Sequence, residues 1–186
     1  MKKLLCSVLL SLGWLFPCVC YAGPFGLEAG MSRDEVVQKI GKSAIVQEYK
    51  DAITFNSMPM RSIYFDTYYC SFDQNDKLWA ITATSKSFVT KNDGEDLRSS
   101  FDTLKAALED KYGKALYVTG SKASGERWID SSMSVNPYTE AVWDGSGDYG
   151  RSVHIDKIDL TVQARDKDHG YIELRYYFTT LVEGPL

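Results

Sequence analysis

The clearest hydrophobic pattern in the chain lies near its C-terminus. Apolar side chains at positions 158, 160, 162 and 164 alternate with polar ones, and the same alternation returns at 172, 174, 176 and 178. A period of two is typical of β-strands with one buried face. The residues between the two runs, 166–170, are Asp-rich and end in glycine. The pattern therefore predicts an antiparallel hairpin over residues 157–178.

Further β-prone runs precede this hairpin. Residues 62–72 are rich in Tyr, Phe and Ile, and they lead through the polar turn 73–76 into a second β-prone run at 77–85. This arrangement predicts another hairpin. Shorter strands are predicted at residues 44–49, 53–55, 116–119 and 138–143.

Two segments have helical signals instead. Ser32 and Glu35 have the spacing of a capping box, and the short apolar pattern behind them ends at Gly41. In the second segment apolar residues recur at 97, 101, 104, 108 and 112, which is one stripe of an amphipathic helix. We expect Asn92 or Asp93 to cap this helix and Gly113 to end it. A further short helix is predicted at residues 126–133.

The two halves of the chain repeat the same order of elements. Each predicted helix ends in Lys-x-Gly-Lys, and a strand and a hairpin with an Asp-rich turn follow. We therefore predict the α+β class, with antiparallel strands and helices packed on one face, as a duplicated helix–strand–hairpin unit. The domain is expected to span residues 23–186, with halves at about 23–90 and 91–186.

The N-terminus has the layout of a secretory signal peptide. Two lysines precede an apolar run at residues 4–16, and a small-x-small pattern ends at Ala22. The run is too short to span a membrane. Neither Cys18 nor Cys20 follows the residues that lipoprotein processing requires. We expect cleavage after Ala22 and a soluble product in the periplasm or outside the cell.

Cleavage changes the composition that matters. The whole chain has 186 residues, four cysteines and a net charge of −4. Loss of the leader removes Cys6, Cys18 and Cys20 and shifts the charge to −6. With Cys70 as the remaining thiol, no internal disulfide is expected. The acidic balance also provides no electrostatic footprint for nucleic acid.

A resemblance to a known family is carried by Gly30-Met31-Ser32, Glu35-Val36 and Ile40-Gly41. This segment resembles the Gly-Met-Thr/Ser…Val…Leu-Gly helix of the SmpA/OmlA (BamE-like) family of small envelope proteins. The family consists of outer-membrane lipoproteins accessory to β-barrel assembly, and their fold is similar to that of tandem-repeat β-lactamase-inhibitor proteins. The resemblance implies that architecture and an export-linked binding role, and it implies no site residue.

The motifs that suggest ligand chemistry have simpler explanations. Residues 145–150 match G-x-G-x-x-G, but Asp148 would repel phosphate and a strand-like run, 151–155, follows instead of a helix. We predict an inter-strand loop there. The Asp-rich turns at 73–77 and 166–170 lack the fifth and twelfth ligands of a calcium loop, so hairpin turns are predicted.

Catalytic residues are not identifiable from the sequence. His154 and His169 are the two histidines, and His154 with Asp156 lacks two further metal ligands. Cys70 stands within a β-prone run, as a buried structural thiol does. We therefore predict a protein without enzymatic activity, metal or cofactor. A hydrolase whose site the sequence conceals, or a small-ligand binder with a cavity between sheet and helices, are the alternatives.

Aromatic residues on predicted strands are the strongest candidates for a function. Tyr64 and Tyr68 share one strand face, and Tyr171, Arg175 and Tyr177 lie on the non-core face of the last strand. Tyr and Arg are enriched where proteins recognise other proteins. These five residues are the predicted partner-binding site. The expected partner is a protein, either an envelope component or an enzyme or toxin that this chain inhibits; no nucleic acid, membrane span or lipid anchor is expected.

Overall fold

A nine-stranded antiparallel sheet forms the frame of the molecule in the computed structural model, which describes residues 22–89, 94–120, 139–166 and 168–179. The strands are β1 (Ile45–Glu48), β2 (Ala52–Phe55), β3 (Phe65–Phe72), β4 (Leu78–Ser85), β5 (Phe88–Val89), β6 (Tyr117–Thr119), β7 (Thr139–Asp144), β8 (Ile155–Asp166) and β9 (His169–Phe178). Within these ranges three α-helices accompany them: α1 (Arg33–Ile40), α2 (Glu95–Tyr112) and α3 (Asp148–Ser152). The predicted α+β class is confirmed. The predicted helix at 126–133 and residues 1–21 of the predicted leader lie outside the described residues.

The strand order places the two halves of the chain side by side. The order is β1-β2-β3-β4-β9-β8-β7-β6, and β5 adds to the end of β9. Strands β4 and β9 meet in the middle, where Ala83 is paired with Leu174. In the described residues, the first half contributes α1 and strands β1–β5, and the second half contributes α2, α3 and strands β6–β9. That the two units arose by duplication stays a prediction.

The alternation in the last hairpin is confirmed. Strands β8 and β9 pair along their length, with Ile158 opposite Tyr176 and Leu160 opposite Leu174. These side chains are buried, and they belong to one hydrophobic cluster with the apolar stripe of α2. The same cluster includes Phe55, Cys70 and other residues of the first half. A single core thus joins the two halves on the helix side of the sheet.

The first helix begins as its sequence predicts. The Ser32 backbone N–H donates to Glu35 Oε2 at 2.7 Å, and the Glu35 N–H donates to Ser32 Oγ at 3.4 Å, which completes the capping box. The helix ends at Gly41, whose φ of +99° favours glycine. Its residue Val36 is buried in the core.

The second helix confirms the predicted stripe but not the predicted cap. The five apolar residues of the stripe are buried. The N-cap is Gly94, which has a φ of +62° and provides no side-chain hydrogen bond, whereas the predicted caps Asn92 and Asp93 lie outside the described residues. Glu95 and Asp96 in the first turn instead supply negative charge near the positive end of the helix dipole.

The segment before α1 contacts both halves of the chain through the aromatic ring of Phe25. Phe25 lies 5.1 Å from the ring of Tyr68 in β3 and 5.8 Å from the ring of Tyr176 in β9, centroid to centroid. Strand β4 runs between them and presents the small side chain of Ala83, paired with Tyr68. Aromatic edge contacts of this kind contribute beyond their buried area. The N-terminal segment therefore closes the core where the two halves meet.

None of the helices within the described ranges combines the length and the apolar character that crossing a membrane requires.

Candidate functional site

The sheet has a second side, away from the helices, which we call the open face. It consists of the residues of β3, β4, β9 and β8 that alternate with the core residues. In the described part of the chain no helix packs on it, and most of its side chains are half-buried or exposed. Its central residues are Trp79, Lys157, Asp159, Tyr171, Glu173, Arg175 and Tyr177.

Two ion pairs lie at the centre of the open face. Lys157 Nζ lies 2.9 Å from Asp159 Oδ1 and donates to Oδ2 at the same distance. Arg175 Nη2 lies 2.5 Å from Glu173 Oε1 on β9. In each pair the partners are two residues apart on one strand, so their side chains leave the sheet on the same side.

The carboxylates and the cations of these pairs differ in depth. The side chains of Asp159 and Glu173 are 10% and 12% exposed, whereas those of Lys157 and Arg175 are 44% and 45% exposed. The negative groups therefore lie close to the sheet, and the positive groups lie above them at the surface. The hydrogen bond to Asp159 raises the pKa of Lys157, which keeps the ammonium charged.

Aromatic rings flank the ion pairs. Trp79, 42% exposed, lies 6.1 Å from the ring of Tyr177. Lys157 Nζ lies 5.7 Å from the centroid of Tyr177, and Arg165 Cζ lies 5.5 Å from the centroid of Tyr171. Contacts between a cation and a ring at such distances are attractive. The open face is thus an ordered arrangement of aromatic and cationic groups.

The structure divides the predicted binding residues into two groups. Tyr171, Arg175 and Tyr177 lie together on the open face, as predicted. Tyr68 points to the opposite side, where it is 2% exposed and its hydroxyl donates to the Phe65 carbonyl at 3.1 Å. Tyr64 precedes β3 and packs against the core. Tyr68 therefore presents no surface to a partner, and Tyr64, which lies outside the strand, does not share a strand face with it.

Four central residues of the open face were not predicted from the sequence. Opposite charges at 157 and 159, and again at 173 and 175, could have indicated ion pairs, because residues two apart share a strand face. No sequence pattern predicts that Asp159 and Glu173 are buried, because their burial depends on side chains from the neighbouring strand. Trp79 joins the face next to an irregularity in the β3–β4 pairing.

The glycine-rich segment 145–150 has a different structure from the predicted one. A five-residue helix, α3, begins at Asp148, where a loop and then a strand-like run were expected. The strands on either side, β7 and β8, are antiparallel, unlike those of a nucleotide-binding unit. A Cβ at Gly145 would lie 1.6 Å from the Ile155 carbonyl oxygen. The glycine is therefore required for close backbone packing.

The histidines and the cysteine lie apart. His169 Nδ1 is 2.8 Å from Asp166 Oδ1, but His169 is half-buried and Asp166 exposed at the β8–β9 turn, where Asp166 also accepts from the Asp168 N–H. Cys70 is fully buried, and burial raises the pKa of its thiol to about 12. Its prediction as a buried structural thiol is confirmed. Among the described residues no group of three histidines, cysteines or acids could hold a metal ion.

One surface hollow lies along α2. It has a volume of about 590 Å³ and is lined by Glu95, Arg98, Ser99, Asp102, Thr103 and Ala106. These residues occupy the polar side of the helix, away from its buried stripe. The hollow is therefore outside the space between sheet and helices.

Comparison with known proteins adds no relative: no family model, curated protein or solved structure matches this chain significantly.

Proposed function

We propose that this chain is an exported protein that binds a protein partner through the open face. The observation that carries the proposal is the arrangement of Trp79, Tyr177 and Arg175 around two ordered ion pairs. Tyr, Trp and Arg dominate binding energy at protein interfaces because they bury large areas with little loss of entropy. Side chains already held by their neighbours lower the entropic cost of binding further.

The proposed export rests on the N-terminal sequence, with its lysines, apolar run and small residues up to Ala22. A chain that starts at Gly23 would retain every residue of the described core, because the core begins at Leu27. In an envelope compartment the candidate partners are an envelope component and an enzyme or toxin that this protein inhibits. The SmpA/OmlA resemblance agrees with such a binding role.

The test is affinity capture from envelope extract with the mature protein and two variants, Trp79→Ala and Tyr177→Ala. Both side chains are at the surface, so the fold should tolerate their loss. We expect the parent chain to capture a protein partner. With either variant the captured amount should fall at least about tenfold, the usual effect of truncating an aromatic residue at the centre of an interface.

The matched control is Ile63→Ala, which removes a side chain that is 94% exposed in the β2–β3 connection, outside the open face. This variant should capture the same protein as the parent chain. Thermal unfolding of all variants checks that the fold is intact. If a folded Trp79→Ala, Tyr177→Ala double variant still captures the protein at the parent level, the open face is not the binding surface.

A further inference from the structure

On the open face the positive groups are exposed and their negative partners are covered. Lys157 and Arg175 expose 44% and 45% of their side chains, while the carboxylates that they neutralise are almost covered. Arg165, also exposed, adds a third cation above Tyr171. A molecule that approaches this face therefore meets guanidinium and ammonium groups first.

We infer that the surface which binds the open face is an acidic protein segment, with Asp or Glu side chains placed over Lys157 and Arg175. The inference rests on the proposed function and specifies the chemistry of the partner. The partner is a protein segment because the face has exposed aromatic area beside its cations, and a protein segment can supply apolar as well as acidic side chains.

The donors of the two cations support this occupant. A lysine ammonium has three N–H groups and a guanidinium has five, so the hydrogen bond of Lys157 to Asp159 and the contacts of Arg175 with Glu173 and Tyr177 leave further donors. Carboxylates form the strongest hydrogen bonds to such donors, often in pairs with arginine. The buried carboxylates fix the positions of the cations, so little side-chain entropy is lost when a partner binds.

Two further acids lie directly beside the cations of β8, since Asp144 is paired with Lys157 and Glu140 with Thr161. Strand β7 carries Glu140 and Asp144 on the same side as Lys157. Asp144 is engaged by the Ser146 hydroxyl, 2.6 Å from its Oδ1. The exposed cations Lys157, Arg165 and Arg175 stand on β8 and β9, so an acidic segment would lie along these two strands and away from β7.

A polyphosphate is the less suitable anion. The whole chain has a net charge of −4, which opposes the long-range attraction on which nucleic-acid binding depends. Binding of a short acidic segment depends only on the cations that it contacts directly. Nucleic acid is nevertheless included as an arm of the test.

The test is a titration of the mature protein with poly-L-glutamate in the form of a short oligomer, which matches a short acidic segment, monitored by the amide resonances of β8 and β9. Poly-L-lysine and a single-stranded oligonucleotide are the comparison probes. We expect poly-L-glutamate to shift open-face amides at low salt, and this effect to fade when salt is raised to about 0.5 M.

Two variants neutralise one ion pair each: Lys157→Gln with Asp159→Asn, and Arg175→Gln with Glu173→Gln. Removing both charges of a pair avoids leaving a buried carboxylate without its partner. Each variant should weaken poly-L-glutamate binding by about fivefold, the effect of one exposed ion pair. The matched control neutralises the surface pair Lys39–Glu28, 3.1 Å apart on α1 and the loop before it, and should change nothing.

The inference is wrong if poly-L-glutamate does not bind, if poly-L-lysine or the oligonucleotide binds the open face more tightly, or if both neutralised variants bind as the parent does. Its failure is distinguishable from that of the proposed function. A captured protein that requires Trp79 and Tyr177, but binds both neutralised variants normally, supports the open face and contradicts an acidic partner. Capture that does not depend on Trp79 or Tyr177 contradicts the proposed function itself.

Discussion

Arg175 Nη2 lies 2.5 Å from Glu173 Oε1, and the carboxylate of this pair is almost completely covered on the side of the sheet that has no helix in the described residues. The arginine is thus both a surface cation and the partner of a buried charge. A substitution intended to test binding would therefore also disturb the fold.

We expect Arg175→Ala to lower the free energy of unfolding by about 1–3 kcal/mol, because it leaves Glu173 covered and without its partner. The double variant Glu173→Gln, Arg175→Gln should lose less, about 1 kcal/mol, since no buried charge remains. Urea unfolding of the two variants measures the difference. Equal losses would show that leaving the Glu173 carboxylate covered and without its partner has no cost.

Arg33 connects three parts of the first half. Its Nε lies 2.8 Å from Asp76 Oδ1 in the β3–β4 turn, its Nη2 donates to the Lys50 carbonyl at 2.8 Å, and its guanidinium lies 4.5 Å from the ring centroid of Phe72. Arg33→Ala should therefore lower the unfolding free energy by about 1–2 kcal/mol.

Lys39→Ala is the control for Arg33, because it removes a more exposed ion pair, to Glu28, on the same helix. Such pairs contribute about 0–1 kcal/mol, so the thermal midpoint should stay close to that of the parent. If Arg33→Ala and Lys39→Ala unfold at the same temperature, the network around Arg33 adds no stability.

The capping box makes the stability of α1 sensitive to acid. Hydrogen bonds from the Ser32 backbone and then its side chain lower the pKa of Glu35. A carboxylate with a lowered folded pKa stabilises the fold above its unfolded pKa, and this contribution is lost as the pH falls through the folded value. NMR titration of the Glu35 carboxyl should show the lowered pKa, and Ser32→Ala should raise it and cost about 1 kcal/mol at neutral pH. Glu35→Gln, which retains a side-chain acceptor, should remove the acid sensitivity.

Gly145 and Gly113 are required for different reasons, the first for close packing and the second for its backbone conformation. A Cβ at Gly145 would overlap the Ile155 carbonyl oxygen, whereas a Cβ at Gly113 would meet no atom within 4 Å. Gly145→Ala should therefore cost about 3 kcal/mol or more. Gly113→Ala, at a φ of +86°, should cost about 1–2 kcal/mol through strain alone. Similar losses in chemical unfolding would contradict this distinction.

The thiol of Cys70 should be unreactive in the folded protein. At a pKa of about 12, only about one thiol in ten thousand is ionised at pH 8, and the side chain is fully buried. A colourimetric thiol reagent should therefore label the mature protein only after denaturant is added. Cys70→Ser provides the blank, and labelling of the native chain at the unfolded rate would show that the site opens.

Local patterns along the chain predicted most of the secondary structure and many of the core residues. The capping box at Ser32, the stripe of α2 and the alternation in β8 and β9 are local patterns, and each was confirmed because spacing alone decides which side chains share a face. The same reasoning placed Tyr171, Arg175 and Tyr177 together. The cap at Gly94 and the helix α3 were missed, because short-range signals there are weak.

Tertiary packing determines which side of β3 faces water. Tyr64 lies before the strand and packs against the core, and Tyr68 belongs to the core, where Phe25 packs against its ring. Pairing of β4 with β9 brought Trp79 to Tyr177, residues almost a hundred positions apart. Packing of neighbouring side chains then covered Asp159 and Glu173 and left their cations at the surface. A pattern along one strand specifies two faces, but the helices and neighbouring strands decide which of them is buried.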